Sequence, residues 1–242
     1  MTPTLHLGDC RDVLATLPPD SHDVCVSDPP YADETHSGAR SQGEASVTSG
    51  GALLASQFTS IAFPDLRDTL GLVGTVTRRW IVITCDWRHA AKLFENPPAG
   101  LRFVRFGVWV KPNGAPQFTG DRPGPGWEAV AWLHRESAPL KWNGGGRSSV
   151  FTEPKVSGAH PTTKPLPLIR QFVALTSDGG PVLDPWMGSG TVGVAAVERG
   201  LEYTGIECDP TWYALAQSRV SGAAAQLSLF PSMKAKQEAF DL

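Results

Sequence analysis

The sequence predicts a single α/β domain built around buried parallel strands. Three observations lead there. Short apolar runs of strand length alternate with segments whose apolar residues recur at helical spacing. Several of those runs end on an acid, which gathers carboxylates at one sheet edge, where open α/β sheets bind their ligands. The chain has 242 residues, enough for one large domain with a sizeable core.

Composition narrows the function classes. No uninterrupted apolar run is long enough to span a membrane, and the N-terminus lacks the basic, apolar, small-residue order of a secretory signal. The expectation is a cytoplasmic protein with no membrane contact. Cys10, Cys25, Cys85 and Cys208 are scattered without a Cys-x-x-Cys pair, so reduced thiols and no metal site are expected. The net charge of −3 gives no overall basic field, so a nucleic-acid partner would need local positive charge.

Leu5-His6-Leu7-Gly8-Asp9 reads as a strand ending on an acid, and Val13-Leu14-Ala15-Thr16-Leu17 as a short helix stopped by Pro18-Pro19. Asp23-Val24-Cys25-Val26-Ser27 is a buried strand that delivers Asp28-Pro29-Pro30-Tyr31. Two consecutive prolines lack N–H groups and fix the backbone, so the Pro29 carbonyl is held beside the Asp28 carboxylate and ahead of the Tyr31 ring. Two acceptors and a stacking face suit a planar base carrying an NH2 group.

Residues 32–60, rich in Gly, Ser, Ala and Thr, form a long loop that we read as a flap over the site. Leu66, Leu70, Val73 and Val76 mark a helix, Trp80–Asp86 a strand ending in an acid, and residues 87–96 a helix. Strands are expected at Phe103–Val110 and Trp127–Leu133, separated by a Pro- and Gly-dense loop at 111–126. Residues 135–159 read as a second irregular loop, in which Trp142, three glycines and Arg147 interleave and bases outnumber acids. Both loops are expected to leave the catalytic edge and to bind nucleic acid, with Arg147 as a phosphate contact.

His160-Pro161-Thr162-Thr163-Lys164-Pro165 precedes a helix whose buried face is Leu168, Ile169, Phe172, Val173 and Leu175. Pro181–Pro185 is a strand, and Trp186-Met187-Gly188-Ser189-Gly190-Thr191 turns into the helix Val192–Arg199. Tyr203–Glu207 is the last strand, and Asp209-Pro210 caps a helix with Trp212, Leu215, Ala216 and Val220 inward. A strand, a Gly-x-Gly turn, a helix and a strand ending in an acid form an adenosine-binding unit, with Glu207 17 residues after Gly190. An acid before the turn, Asp184, favours a cationic ligand over a pyrophosphate, which points to S-adenosylmethionine.

Asp28-Pro29-Pro30-Tyr31, His160–Pro165 and Asp184–Thr191 resemble the motifs of the amino-group (N6-adenine/N4-cytosine) DNA methyltransferases of the permuted β order. The resemblance implies a doubly wound, seven-stranded, mostly parallel sheet of the S-adenosylmethionine-dependent methyltransferase type, with six parallel strands and one antiparallel. It implies that Asp28, Pro29, Pro30 and Tyr31 are catalytic. For the cofactor it implies Asp9 near the adenine, Glu207 at the ribose, Thr163 and Lys164 at the methionine carboxylate, and Asp184, Gly188 and Gly190 at the methionine end. Cys10, Asp28, Thr162, Pro185, Trp186, Ser189, Thr191 and Cys208 complete the expected cofactor-binding set. Trp186 departs from the Phe most common in the family.

The implied reaction is methyl transfer to N6 of adenine flipped out of double-stranded DNA, in a restriction–modification setting. N4 of cytosine is the alternative on the same fold, and RNA or a protein amide lies further off. Implied partners are double-stranded DNA and a second copy of the chain. Residues 1–220 form the domain and 221–242 a tail. Within it Ser221–Ala225 reads as a linker, and Gln226-Leu227-Ser228-Leu229-Phe230 resembles a bacterial sliding-clamp-binding peptide.

Overall fold

The structure, a computed structural model, describes residues 3–31, 60–114, 116–117, 120–156 and 163–229. The expected flap at 32–60 lies outside them except for Ser60, as do Thr162 and the tail from Phe230 onward.

Strands β1 (Thr4–Leu7), β2 (Val24–Ser27), β3 (Trp80–Cys85), β4 (Leu101–Val110), β5 (Trp127–Arg135), β6 (Val150–Thr152), β7 (Val182–Asp184) and β8 (Tyr203–Glu207) form one sheet. Their order across it is β1-β8-β7-β2-β3-β5-β4-β6. β5 alone runs antiparallel to the others. The sheet is therefore mostly parallel, as expected, but has eight strands rather than seven. The addition is β6, which pairs with β4 inside the stretch read as an irregular loop.

Alternation along the strands divides the core between the two faces. Val24, Val26, Trp80 and Val82 point to one side, against α4 (Leu166–Thr176), α5 (Thr191–Glu198) and α6 (Pro210–Leu229). Cys25, Ile81, Ile83 and Cys85 point to the other, against α1 (Cys10–Thr16), α2 (Phe63–Val76) and α3 (Trp87–Glu95). The helical faces read from spacing are buried, including Leu66, Leu70, Val73 and Val76 on α2 and Leu168, Ile169, Phe172, Val173 and Leu175 on α4.

Two expectations are corrected here. α6 continues through Ser221–Ala225 to Leu229, so that segment is helix and not linker. Ala223 and Ala224 pack against the core, which carries the helix across Gly222. The stretch after β5 does not leave the catalytic edge, because an antiparallel strand ends at the opposite one. Asn143 there bonds to Leu175 and Ser177 at the far end of α4. Arg147 reaches Gln171 halfway along that helix. Among the described residues of that stretch, only 153–156, beyond β6, return to the sheet edge where β2 ends, and there the Glu153 N–H donates to the Val110 carbonyl.

Among the described residues no helix is long and apolar enough to cross a membrane. The opposite edge is tied by Arg79, which pairs with Asp23 at 2.8 Å and Asp178 at 3.1 Å and also donates to the Thr176 carbonyl.

Glycine serves close packing at α5. A Cβ on Gly193 would lie 2.6 Å from the Tyr203 ring and 2.7 Å from Val220. Gly193→Ala is expected to cost about 1–3 kcal/mol. Gly71 on α2 faces open space, so Gly71→Ala should stabilise by about 0.5–1 kcal/mol. Urea unfolding midpoints of the two variants, moving in opposite directions, check both.

Candidate active site

β2 and β7 are adjacent, and from them the chain winds outward in both directions, to β3 and to β8. The crevice beyond their carboxyl ends is the switch point of the sheet. Asp28 follows β2, and the Gly188–Gly190 turn follows β7.

Beneath that crevice lies a buried network. The Asp184 carboxylate, 1 % exposed, accepts from the Ser27 hydroxyl at 2.5 Å and from the Tyr203 hydroxyl at 3.1 Å. Ser27 in turn accepts from the Trp186 N–H at 3.2 Å. Burial, only partly offset by the Ser27 and Tyr203 hydrogen bonds, pushes the Asp184 carboxyl up to about 7. Asp184 is thus turned inward, where it fastens the Gly188–Gly190 turn to β2. Pro185, Ser189, Gly190 and Thr191 are buried too, and frame the turn from within.

The turn itself needs its glycines. Gly188 and Gly190 have φ of 48° and 77°, and a Cβ on Gly190 would sit 3.0 Å from Ala216 and Val220 of α6. Glu207, half-buried at the end of β8, accepts the Gly188 N–H at 2.9 Å through Oε2 and the Asp209 N–H at 2.9 Å through Oε1. Arg219 clamps the turn from behind, donating to the Ser189 carbonyl at 2.5 Å. The Thr163 and Ser189 hydroxyls lie 3.4 Å apart, joining the segment before α4 to this turn. Half-buried Trp186 packs on the α2 side of the sheet.

Asp9 caps α1 through the Arg11 N–H at 2.9 Å and is forked by the Arg11 guanidinium, again at 2.9 Å. Its carboxylate is thus engaged locally, at the rim of the same crevice. Cys10 is half-buried, and burial pushes its thiol up to about 12. Cys208 is exposed beside Glu207.

The other half of the crevice holds four charged side chains. Asp28 accepts from the Thr84 hydroxyl at 2.5 Å through Oδ1 and from the Lys164 ammonium at 2.6 Å through Oδ2. Lys164 is 7 % exposed and also lies 3.5 Å from Glu128. Lys164, expected at a cofactor carboxylate, is here paired with Asp28, the acid expected to be catalytic. Glu128 receives the Tyr31 hydroxyl at 2.5 Å and the Lys111 ammonium. The Lys111 ammonium stands 4.8 Å over the Trp109 ring, and that of Lys164 stands 5.2 Å over the Tyr31 ring.

Burial raises the Asp28 carboxyl against the pull of Lys164, and the Glu128 charge adds to the rise. Burial also works on Glu128, but Lys164 and Lys111 outweigh it and hold that carboxyl at about 2. Glu128 is thus a fixed anion, and Asp28 the softer of the two carboxylates. Thr84, Trp109, Lys111 and Glu128 were not singled out in the sequence. Glu128 carried a signal, a lone charge within the apolar strand Trp127–Leu133.

The geometry can be set beside known proteins. A family model described as DNA methylase, N6_N4_Mtase, matches residues 22–218. The type II methyltransferase M.XycI of Xanthomonas campestris pv. cyanopsidis is 38% identical over 130 residues, which is 48% of this chain and 43% of that protein. The chain spans about half the length of the curated relatives it matches. Among solved structures, the M1.HpyAVI–SAM complex superposes with a TM-score of 0.67 at 20% identity, over 90% of this chain and 100% of the other. PvuII DNA methyltransferase, named cytosine-N4-specific, superposes with a TM-score of 0.68 at 14% identity, over 90% and 86%. At these identities the two structures attest the fold.

The raised Asp184 carboxyl has a measurable consequence. Between about pH 4 and 7 the folded chain keeps a proton that the unfolded chain has released, so this group's stabilisation falls as pH rises through that window. Asp184→Asn removes the titration. Wild type should lose stability relative to Asp184→Asn as pH rises from 5 to 8, by at most about 1.4 kcal/mol per pH unit. Denaturant unfolding at several pH values measures the difference, and parallel curves would show Asp184 ionising normally.

Proposed function

The chain belongs to the N6/N4 family of DNA methylases, and from that premise we propose that it transfers a methyl group from S-adenosylmethionine to the N6 amino group of adenine in DNA. The observation that carries the reading is the pairing of a Gly188–Gly190 turn with Asp28 across one switch-point crevice. The cradle fits the cofactor: the turn has no Cβ at Gly188 or Gly190, and Glu207 presents a half-buried carboxylate to ribose hydroxyls. Thr163 and Ser189 stand at the end toward Asp28. When bound, S-adenosylmethionine supplies a methyl group on a sulfonium centre.

The protein's own residues then have separable tasks. Asp28 and the Pro29 carbonyl accept hydrogen bonds from the two N–H groups of the base amino group, which sheds one proton to solvent once it is methylated. That favours a pyramidal nitrogen with a localised lone pair, and the Asp28 charge stabilises the cation that develops there. Tyr31 offers its ring to the base, with its hydroxyl pinned by Glu128 before any base arrives. No covalent bond between enzyme and base is required.

Phosphate contacts belong to the segments at the catalytic edge. Asn113 and Lys155 exchange hydrogen bonds of 2.9 and 2.6 Å, joining the loop after β4 to the segment after β6. Exposed Trp87, with the Arg88 guanidinium 4.5 Å over its ring, and exposed Trp127 flank the same edge. Recognition by loop 111–126 and residues 153–156 fits this placement. Arg147 does not share it. We extend the proposal to a sliding-clamp contact through Gln226–Phe230, which would require the last turn of α6 to unwind.

N4 of cytosine is the second reading, since the family model that matches the chain spans N6 and N4 enzymes alike. Nuclease digestion of DNA methylated by the protein, followed by identification of the modified nucleoside, separates the two. Asp28→Ala should abolish methyl transfer while cofactor affinity changes less than about threefold, because Asp28 acts on the base. Equal loss of both in a cofactor titration would overturn the assignment. Lys155→Ala should weaken DNA binding and reduce the salt slope of log K by about one, with Arg147→Ala unchanged.

A further inference from the structure

Both oxygens of Asp28 are occupied in the free protein, one by the Thr84 hydroxyl and the other by the Lys164 ammonium at 2.6 Å. The ammonium is an N–H donor standing where a base amino group must donate. It is also 3.5 Å from Glu128 Oε2, a long ion pair that a small shift of Nζ would shorten into a full hydrogen bond. Lys164 is buried, and a buried ammonium leaving Asp28 without a partner would be strongly disfavoured.

We propose that Lys164 is a place-holder for the substrate amino group, and that Glu128 is the positioning residue that receives its ammonium when the base arrives. This rests on the amino-methyltransferase reading above. In the free protein Lys164 keeps Asp28 an anion, the form able to accept a hydrogen bond. As the base enters, rotation of the flexible lysine stem moves Nζ from Asp28 Oδ2 to Glu128 Oε2. No proton leaves the ammonium, and Asp28 Oδ2 passes from one N–H donor to another.

The surroundings suit this exchange. Glu128 is a fixed anion, already held by Lys111 and Tyr31. The Tyr31 and Trp109 rings lie 5.2 and 6.0 Å from Nζ and line its path with electron-rich faces. Thr84 stays on Oδ1, so the Asp28 carboxylate does not turn while its other oxygen changes partner.

The test is a double-mutant cycle on Glu128 and Lys164, read by tritiated methyl transfer to unmethylated plasmid DNA, with cofactor and DNA affinities measured separately. Glu128→Gln should lower kcat by about 10- to 100-fold, with both affinities within about threefold of wild type. In a Lys164→Met background the same substitution should lower kcat by less than about threefold, since no ammonium remains to be received. A DNA complex should place Nζ within hydrogen-bond distance of Glu128 and away from Asp28.

Equal losses in the two backgrounds, or Nζ still on Asp28 with a base bound, would overturn the proposal. Glu128→Asp keeps the charge and should lose less activity than Glu128→Gln. It also serves as the test variant if the Gln protein does not fold, in which case a full loss with cofactor affinity intact counts against the proposal. A wild-type protein that methylates no DNA would instead remove the reading on which the proposal stands.

Discussion

The crevice at the carboxyl ends of β2 and β7 depends on one buried carboxylate. Asp184 joins β2, β7 and β8 through the Ser27 and Tyr203 hydroxyls, and Ser27 passes the connection on to the Trp186 backbone. A buried acid with two hydroxyl donors is directional in a way an apolar contact is not. It sets the height of the glycine turn relative to Asp28. The cost appears in the raised carboxyl, since two hydroxyls do not replace the water that an ionised group loses. Tyr203 can reach Asp184 because Gly193 and Gly205 leave room for its ring. The glycines serve the acid, and the acid serves the crevice.

The two halves of the crevice are built on different physics. The half at β7 and β8 is mainly backbone: a turn in the left-handed region, N–H groups capped by Glu207, and Arg219 behind. The half at β2, β3, β4 and β5 is mainly side-chain charge, two carboxylates and two ammonium groups above aromatic rings. Backbone geometry suits a ligand of constant shape. Side-chain charge suits a partner that comes and goes.

Much of this was legible in local sequence. Apolar alternation and helical spacing located seven of the eight strands and the inward faces of α2 and α4, because each was long enough to show its period. Asp28, Gly188, Gly190 and Glu207 stood out because special residues sit at strand ends. The same rule picked out Asp9, which caps a helix, and Asp184, which is sealed inside. Strand-end acids serve several purposes, and the partners each finds in the folded chain tell them apart. β6 was too short, with Phe151 its one buried residue. The partners of Lys164 depend on β5 running backwards beside β3, a long-range pairing that no local pattern encodes. The same reversal sent residues 136–149 to the wrong edge.

One small contact bears on how such a protein diversifies. The Ile61 N–H donates to the Tyr31 carbonyl at 3.2 Å, so positions 31 and 61 of the chain are held together. A segment whose ends are already closed can be lengthened cheaply: doubling it costs only about 0.6 kcal/mol in closure entropy. The clasp between Tyr31 and Ile61 therefore makes this position in the chain tolerant of insertion, because any added length is closed at its base by a bond that is already made.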